Sequence, residues 1–117
     1  MKTFDTDIFP FHFCVAEFSE HEKCKETFTD ADGDELLFDK GSSAFVARAL
    51  YRDTQKACCL IVINKEYANI GTVAHEANHS AEVLLERIGI FHNAHTSEVY
   101  SYVIGFIAQK IYDTIWE

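Results

Sequence analysis

Apolar residues have a strand-like spacing before Asn69 and a helix-like spacing after it. In the first part they form short runs at residues 9–18 (FPFHFCVAEF), 44–51 (AFVARALY) and 57–64 (ACCLIVIN). Short runs that are rich in aromatic and β-branched residues are typical of β-strands. In the second part apolar residues recur at steps of three and four, which is typical of amphipathic helices. This order predicts an α+β fold.

The polar segment RDTQK at residues 52–56 separates two of the strand-like runs and predicts an antiparallel hairpin. The second arm of this hairpin is apolar on both faces, so we expect it inside the sheet or beneath a helix. Before the hairpin, Ser19 and Glu22 have the spacing of a capping box and predict a short helix over about residues 20–28. We also expect an acidic turn at residues 30–35 and a short strand at residues 35–38.

Two helices are expected in the C-terminal part. The first begins near Asn69 and ends near Gly89, because glycine is a usual C-terminal stop. Its apolar side consists of Val73, Ala77, Ala81, Leu84, Leu85 and Ile88. The second begins at Thr96 or Ser97, and its apolar side consists of Val99, Val103, Phe106, Ile107 and Ile111. We therefore expect one domain over residues 1–117, with a small antiparallel or mixed sheet packed on two C-terminal helices.

The charge balance disfavours nucleic acids and membranes as partners. The chain has 19 acidic and 10 basic residues, for a net charge of −9, and no cluster of Lys and Arg. A basic surface that could bind phosphates is therefore not expected. The longest apolar runs are far shorter than the roughly 20 residues that cross a bilayer. Asp5 and Asp7 lie where a signal peptide needs its apolar core, so we expect a cytoplasmic protein.

The chain has four cysteines, Cys14, Cys24, Cys58 and Cys59. In a cytosol we expect them to be reduced, and free cysteine behaves as a small buried apolar residue. Cys58 and Cys59 are neighbours on an expected strand, so their side chains point to opposite faces and cannot bind one metal together. All four are therefore interpreted as packing residues.

The first C-terminal helix carries the sequence HEANH at residues 75–79. Residues four apart lie on one face of a helix, so His75 and His79 can bind a single metal ion. Glu76 lies beside His75, near enough to hydrogen-bond a water at that metal and to act as a general base. The alternative is that both histidines are ordinary surface residues. The alanine-rich apolar helix, a downstream carboxylate and the preceding sheet favour a zinc site.

Catalytic zinc generally has three protein ligands and one open position. Glu98 is the expected third ligand, because it lies in the first turn of the second helix, after a loop long enough to reverse the chain. Ser101, Gly105 and Ala108 follow Glu98 at steps of three and four and predict close packing against the alanines of the first helix. Glycine inside a helix costs about 1 kcal/mol relative to alanine, so Gly105 indicates a packing requirement.

HEANH together with Glu98 resembles the gluzincin division of zinc metallopeptidases. More closely, TVAHEANHSAEVLLERIGI and SEVYSYVIGFIAQKI, after an N-terminal strand and a hairpin, are similar to short metallopeptidases carried by tailed bacteriophages. This resemblance covers the C-terminal half well and the first half in outline. It implies a minimal zincin-like domain that hydrolyses a peptide or protein substrate, in the host cytoplasm if the chain is encoded by a phage. By the same resemblance His75, His79 and Glu98 bind Zn²⁺ and Glu76 is the base.

Two other functions are compatible with these residues. One is a zinc-containing binding protein that docks on a host or phage protein and whose site is structural or vestigial. Such a protein has no need of a base at Glu76, so the presence of that residue favours the enzyme. The other is a regulatory peptidase similar to the ImmA/IrrE group, which cleaves repressors, but the usual helix-turn-helix segment is not found here.

The supporting residues of the expected site are left open by the sequence. No motif selects an oxyanion-stabilising residue among four candidates, which are His92, His95, Tyr67 and Tyr102. Histidines that bind zinc usually donate a hydrogen bond from their second ring nitrogen to a carboxylate or a carbonyl. Glu82 and Asp113 are the candidates for that acceptor.

Overall fold

The computed structural model describes residues 1–6 and 9–117, and Asp7, which entered the signal-peptide argument, lies outside them. The strands within the described residues are β1 (Lys2–Asp5), β2 (His12–Glu17), β3 (Phe28–Asp30), β4 (Ala44–Tyr51) and β5 (Ala57–Ile63). The helices are a 3-10 turn (Phe18–Glu20), α1 (His21–Thr27), α2 (Ile70–Arg87) and α3 (Ser97–Trp116). The predicted α+β fold with two C-terminal helices is confirmed.

The sheet is mixed, with the strand order β1-β2-β5-β4-β3. β2 and β5 run parallel, and the other neighbouring strands are antiparallel. The predicted hairpin is confirmed, because Ala44 lies opposite Ile63 and Leu50 lies opposite Ala57. β5 is therefore the central strand, with a partner on each side.

Both faces of β5 are buried, as its apolar sequence predicts. Cys59, Ile61 and Ile63 pack with β2 residues against α2 and α3. The opposite face of β5 packs against α1, β3 and the segment between β3 and β4, and it contributes Cys58, Leu60 and Val62. The sheet thus has two apolar layers, one on each side, and the two C-terminal helices cover only the first.

α2 begins where the sequence places it. The side chain of Asn69 accepts a hydrogen bond from the Thr72 backbone nitrogen at 3.0 Å, and the Asn69 backbone nitrogen donates to the Thr72 hydroxyl at 3.2 Å. This reciprocal pair satisfies two of the free groups at a helix N-terminus. Gly89, with φ of 82°, follows the C-terminal end of the helix. Of the described helices, none has the length and apolarity required to cross a membrane.

α3 lies antiparallel to α2 and extends from Ser97 to Trp116. At one end of the pair, the Tyr100 hydroxyl donates to the Ile90 carbonyl oxygen at 2.8 Å, just after α2. At the other end, Tyr112 and Trp116 line a pocket with Val73 from the first turn of α2. The buried side of α3 consists of Tyr100, Val103, Ile107, Ile111 and Ile115.

Two local predictions are wrong, and one strand was missed. Residues 35–38 form no strand, because Leu36 is buried from an irregular segment, and the strand of this region is β3 at Phe28–Asp30. The capping box near α1 uses Glu17 and Glu20 in place of Ser19 and Glu22. β1 was not predicted, since its short sequence KTFD has little strand signal apart from its antiparallel pairing with β2.

The interpretation of Gly105 as a packing requirement is also wrong. A Cβ built on Gly105 would have no neighbouring atom within 4 Å, and the residue is exposed. Ser101 is exposed as well, so the predicted small-residue stripe does not form the helix interface. On α2, Ala77 and Ala81 are fully buried, as expected of the helix that packs on the sheet.

We predict that Gly105→Ala stabilises the protein by about 0.5–1 kcal/mol, because alanine loses less backbone freedom in a helix and meets no obstacle there. The free energy of unfolding in urea measures this. Gly89→Ala is the matched control and should destabilise by about 1 kcal/mol, since φ is positive at that position. Destabilisation by Gly105→Ala would show that the exposed side of α3 packs against something.

We also predict that the four thiols do not react with a disulfide reagent until the protein unfolds. All four cysteines are fully buried. Burial raises the pKa of Cys14, Cys58 and Cys59 to about 12 and that of Cys24 to about 11, so the reactive thiolate is scarce at neutral pH. An added cysteine at the exposed position Ser101 should react at once. A native thiol that reacts as fast as this control would contradict the packing role.

Candidate metal centre

α2 directs the two motif histidines towards solvent because its other side is held against the sheet. Ala77 and Ala81 on the inner side are fully buried. The side chains of His75 and His79 on the outer side are 69% and 48% exposed. Glu76 lies between these two sides, and its side chain is only 7% exposed. The motif therefore places two accessible imidazoles next to one buried carboxyl group.

The imidazoles of His75 and His79 have the geometry that a shared metal ion requires. Their Nε2 atoms lie 3.1 Å apart, and their ring planes are inclined by 79°. With zinc–nitrogen bonds of about 2.0–2.1 Å, this separation corresponds to a nitrogen–metal–nitrogen angle of about 100°, close to tetrahedral. Without a metal, the same distance allows one imidazole to donate a hydrogen bond to the other. Both arrangements require the Nε2 atoms to face each other.

The carboxyl group of Glu76 completes a three-residue group. Its Oε1 atom lies 3.8 Å from His75 Nε2, and one ligand atom from each of His75, Glu76 and His79 lies within 4.8 Å of the others. Its Oε2 atom is buried and has no hydrogen-bond partner in the described part of the chain. A buried carboxyl oxygen without a partner is costly for stability. An atom retained at such a cost is typical of a functional site.

The surroundings of Glu76 favour the protonated form of its carboxyl group more than water favours that form in an ordinary, exposed glutamate. Burial raises the pKa of its carboxyl group, and the nearby His75 and His79 lower it in part. The backbone at this position is held firmly, because the buried Ser80 hydroxyl donates to the Glu76 carbonyl oxygen at 2.7 Å. A carboxylate with a raised pKa is a stronger base, which suits a group that takes up and returns a proton.

An open cleft of about 340 Å³ lies beside this group. It is lined by Glu76 and His79 from α2 and by Ala44, Phe45 and Val46 from β4. β3 pairs with β4 only at residues 49–51, so the outer edge of β4 at residues 44–48 has no strand partner among the described residues. The cleft thus combines an unpaired strand edge with the buried carboxyl group.

Glu98, the predicted third ligand, does not join this group. It is exposed in the first turn of α3, and the metal-compatible cluster found among the described residues consists of His75, Glu76 and His79. α2 continues for eight residues from His79 to Arg87, a rise of about 12 Å. α3 begins after the C-terminal end of α2 and runs antiparallel to it. The first turn of α3 is therefore nearer to the C-terminal end of α2 than to the two histidines.

The sequence also offered candidates for an oxyanion-stabilising residue and for a carboxylate that supports the histidines, and the structure shows where each of them lies. His92 and His95 are exposed in the loop between α2 and α3, and Tyr67 and Tyr102 are 56% and 73% exposed. Their surroundings select none of them as an oxyanion-stabilising residue. The carboxylate of Asp113 accepts a hydrogen bond from Gln109 Nε2 at 2.7 Å within α3. Glu82, in contrast, lies 3.9 Å from His79 Nδ1.

The cleft residues Ala44, Phe45 and Val46 were not identified as site residues from the sequence. The unpaired strand edge beside the cleft depends on where the short strand β3 ends. No local pattern in the sequence carries that information.

The chain matches no protein family, no curated protein and no solved structure. The residues themselves and their arrangement therefore carry the functional argument.

Proposed function

We propose that the chain is a zinc-dependent hydrolase that acts as a peptidase. The observation that carries this proposal is the Glu76 carboxyl group, which is buried, lacks a hydrogen-bond partner for Oε2, and lies beside two imidazole Nε2 atoms 3.1 Å apart. These groups open on the cleft between α2 and β4. A carboxyl group with a raised pKa in a cleft, next to side chains that can bind a metal, is the pattern of a hydrolytic site.

His75 and His79 would hold the zinc ion through their Nε2 atoms, and Glu98 is kept as the proposed third ligand. The donor set of imidazole and carboxylate is one that zinc accepts. When bound, zinc polarises the carbonyl group of the substrate and makes a water molecule more acidic. The exposure of both histidines leaves room for water and substrate, as a catalytic site requires and a closed structural site does not.

In this mechanism Glu76 takes a proton from the attacking water while the water oxygen forms a bond to the carbonyl carbon of the peptide. The carbon–nitrogen bond then breaks, and Glu76 returns the proton to the departing amine nitrogen. The raised pKa of the carboxyl group favours the first step, in which the carboxylate acts as a base, because burial disfavours its charged form. The buried Ser80 hydroxyl donates a hydrogen bond to the Glu76 carbonyl oxygen one turn before it.

The outer edge of β4 supports a peptide as the substrate. Residues 44–48 present backbone groups that no described strand pairs with on that side, and Ala44, Phe45 and Val46 line the cleft next to Glu76. An extended peptide can add to such an edge through main-chain hydrogen bonds, which requires little sequence preference. The scissile bond of a peptide bound in this way would lie near the carboxyl group of Glu76.

A zinc-containing binding protein is the second candidate, and one observation favours it. Glu98 lies outside the group formed by His75, Glu76 and His79, so the described geometry supplies two histidines and a carboxyl group rather than a complete set of three ligands and a separate base. A protein of this kind would retain metal binding without hydrolysis. The regulatory peptidase considered above has no such observation in its favour.

We predict that the purified protein binds about one zinc ion per chain and that His75→Ala and His79→Ala each weaken the binding by at least tenfold, because each removes a ligand. Competition with a chromophoric chelator measures the dissociation constant. His92→Ala, at an exposed loop histidine, is the matched control and should bind zinc as the wild type does. Wild-type affinity in the His79 variant would exclude the site.

The same titration on Glu98→Ala decides the third ligand. Weakened zinc binding would support ligation by Glu98 through its carboxylate. Full occupancy and affinity would remove Glu98 from the ligand set and make His95 the next candidate for the third ligand.

We predict that Glu76→Gln retains zinc but lowers hydrolysis by about 10²–10⁴-fold, because an amide cannot accept the proton at neutral pH. Wild type and variant, at equal zinc content, are incubated with a diverse peptide library, and the products are compared by mass spectrometry. Glu86→Gln, almost three turns further along α2, is the control and should retain activity. Equal cleavage by Glu76→Gln would point to another base or a contaminant, and no cleavage by any of them would favour the binding protein.

A further inference from the structure

The outer face of α2 carries three side chains in contact, one after another. Glu82 Oε2 lies 3.9 Å from His79 Nδ1, and His79 Nε2 lies 3.1 Å from His75 Nε2. The steps of three and four residues place these groups above one another on the helix. His79 is therefore between a carboxylate on one side and the other histidine on the opposite side, and each of its ring nitrogens faces one of them.

The two contacts of His79 require different states of its two nitrogens. A carboxylate accepts hydrogen bonds, so it favours the tautomer in which Nδ1 carries the proton. In that tautomer Nε2 has a free lone pair on the side of His75. A metal ion would need this unprotonated nitrogen as its ligand. Resting on the proposed zinc site, we propose that Glu82 is a positioning residue that fixes the tautomer and ring orientation of His79.

Other residues of α2 and β4 direct the two nearby acidic side chains to different partners. Asn78 Nδ2 donates to Glu82 Oε1 at 3.4 Å, which leaves Oε2 as the atom facing His79. Glu86, one turn further along, pairs with Arg48 of β4 at 3.8 Å. The Glu82 side chain is partly exposed, and its Oε2 atom lies about 1 Å beyond hydrogen-bond distance from Nδ1. Glu86 has the same charge but a different partner, so it serves as the control.

The proposal also assigns the state of His75 in the metal-free protein. Because His79 Nε2 is then an acceptor, the 3.1 Å contact requires His75 to donate from Nε2. The donors are then all oriented in one direction along the helix, because His75 donates to His79 and the Nδ1–H of His79 is on the side of Glu82. A metal ion bound between the two imidazoles would require a change of tautomer only at His75.

Proton–nitrogen correlation spectra of the metal-free protein, recorded at alkaline pH where imidazole is neutral, test this assignment. We expect the Nδ1–H tautomer at His79 and the Nε2–H tautomer at His75. In Glu82→Ala, His79 should shift towards the Nε2–H tautomer, and Glu82→Gln should be intermediate because its amide oxygen is a weaker acceptor. Glu86→Ala should leave both histidines unchanged. A wild-type His79 in the Nε2–H form, or one unaffected by Glu82→Ala, would overturn the proposal.

Zinc affinity provides a second readout. Glu82→Ala should raise the dissociation constant about 10–100-fold, as expected when the acceptor behind a metal-binding histidine is lost. Glu86→Ala removes the same charge and should change it by less than about threefold, since a more distant exposed charge is screened. Equal weakening by the two variants would show a general charge effect and overturn the positioning role.

The two experiments separate this inference from the proposed function. If the wild type binds no zinc, the proposed function fails, while the tautomer measurements still decide whether Glu82 fixes His79. If zinc binds and peptides are cleaved but Glu82→Ala leaves the His79 tautomer and the zinc affinity unchanged, the hydrolase stands and the role of Glu82 is refuted.

Discussion

The inner face of α2 packs against the central strand β5, and the position of every residue of the candidate site depends on this packing. Ala77 and Ala81 are fully buried together with Cys59 and Ile61 of β5. Small side chains let the helix lie close to the sheet, and burial of the apolar face stabilises it there. Once this face is held, the rotation of α2 about its own axis is determined, and with it the directions of all its other side chains.

This packing raises the pKa of the Glu76 carboxyl group. Glu76 lies at the boundary between the buried and exposed sides of α2, so its carboxyl group loses most of its contact with water, and burial raises its pKa. The imidazoles of His75 and His79 lower that pKa in part, yet Oε2 has no hydrogen-bond partner among the described residues. A residue one position earlier or later on the helix would be exposed or fully buried, and neither position would combine desolvation with access to the cleft.

The short strand β3 leaves part of β4 without a strand partner beside the cleft. Because β3 pairs with β4 only at residues 49–51, the beginning of β4 keeps an unpaired edge beside the site. Unpaired edges are normally shortened, charged or covered, since they can pair with other chains. Here the unpaired edge is short and borders the cleft beside α2. The proposed use of this edge by a peptide therefore depends on the same hairpin that supports α2.

Much of the fold follows from the sequence because its signals are local. The hairpin, α2 and α3 are determined by the period of apolar residues, by the polar segment of the hairpin turn and by Asn69 and Gly89 at the ends of α2. The i, i+4 spacing likewise determines that His75 and His79 share a face, whatever the helix packs against. Once the helix and its apolar side are identified, the exposure of both histidines and the position of Glu76 beside them can be predicted.

Only the tertiary structure decides the features that depend on distant parts of the chain. The parallel pairing of β2 with β5, the strand β1 and the end of β3 all rely on partners far away in sequence. The position of Glu98 also depends on the tertiary structure, because the number of loop residues does not determine where α3 begins beside α2. The exposure of Gly105, which was expected to be packed, depends on the tertiary structure in the same way. The raised pKa of Glu76 and the cleft beside it arise from burial by the sheet, a property of the packed molecule that no local pattern of residues contains.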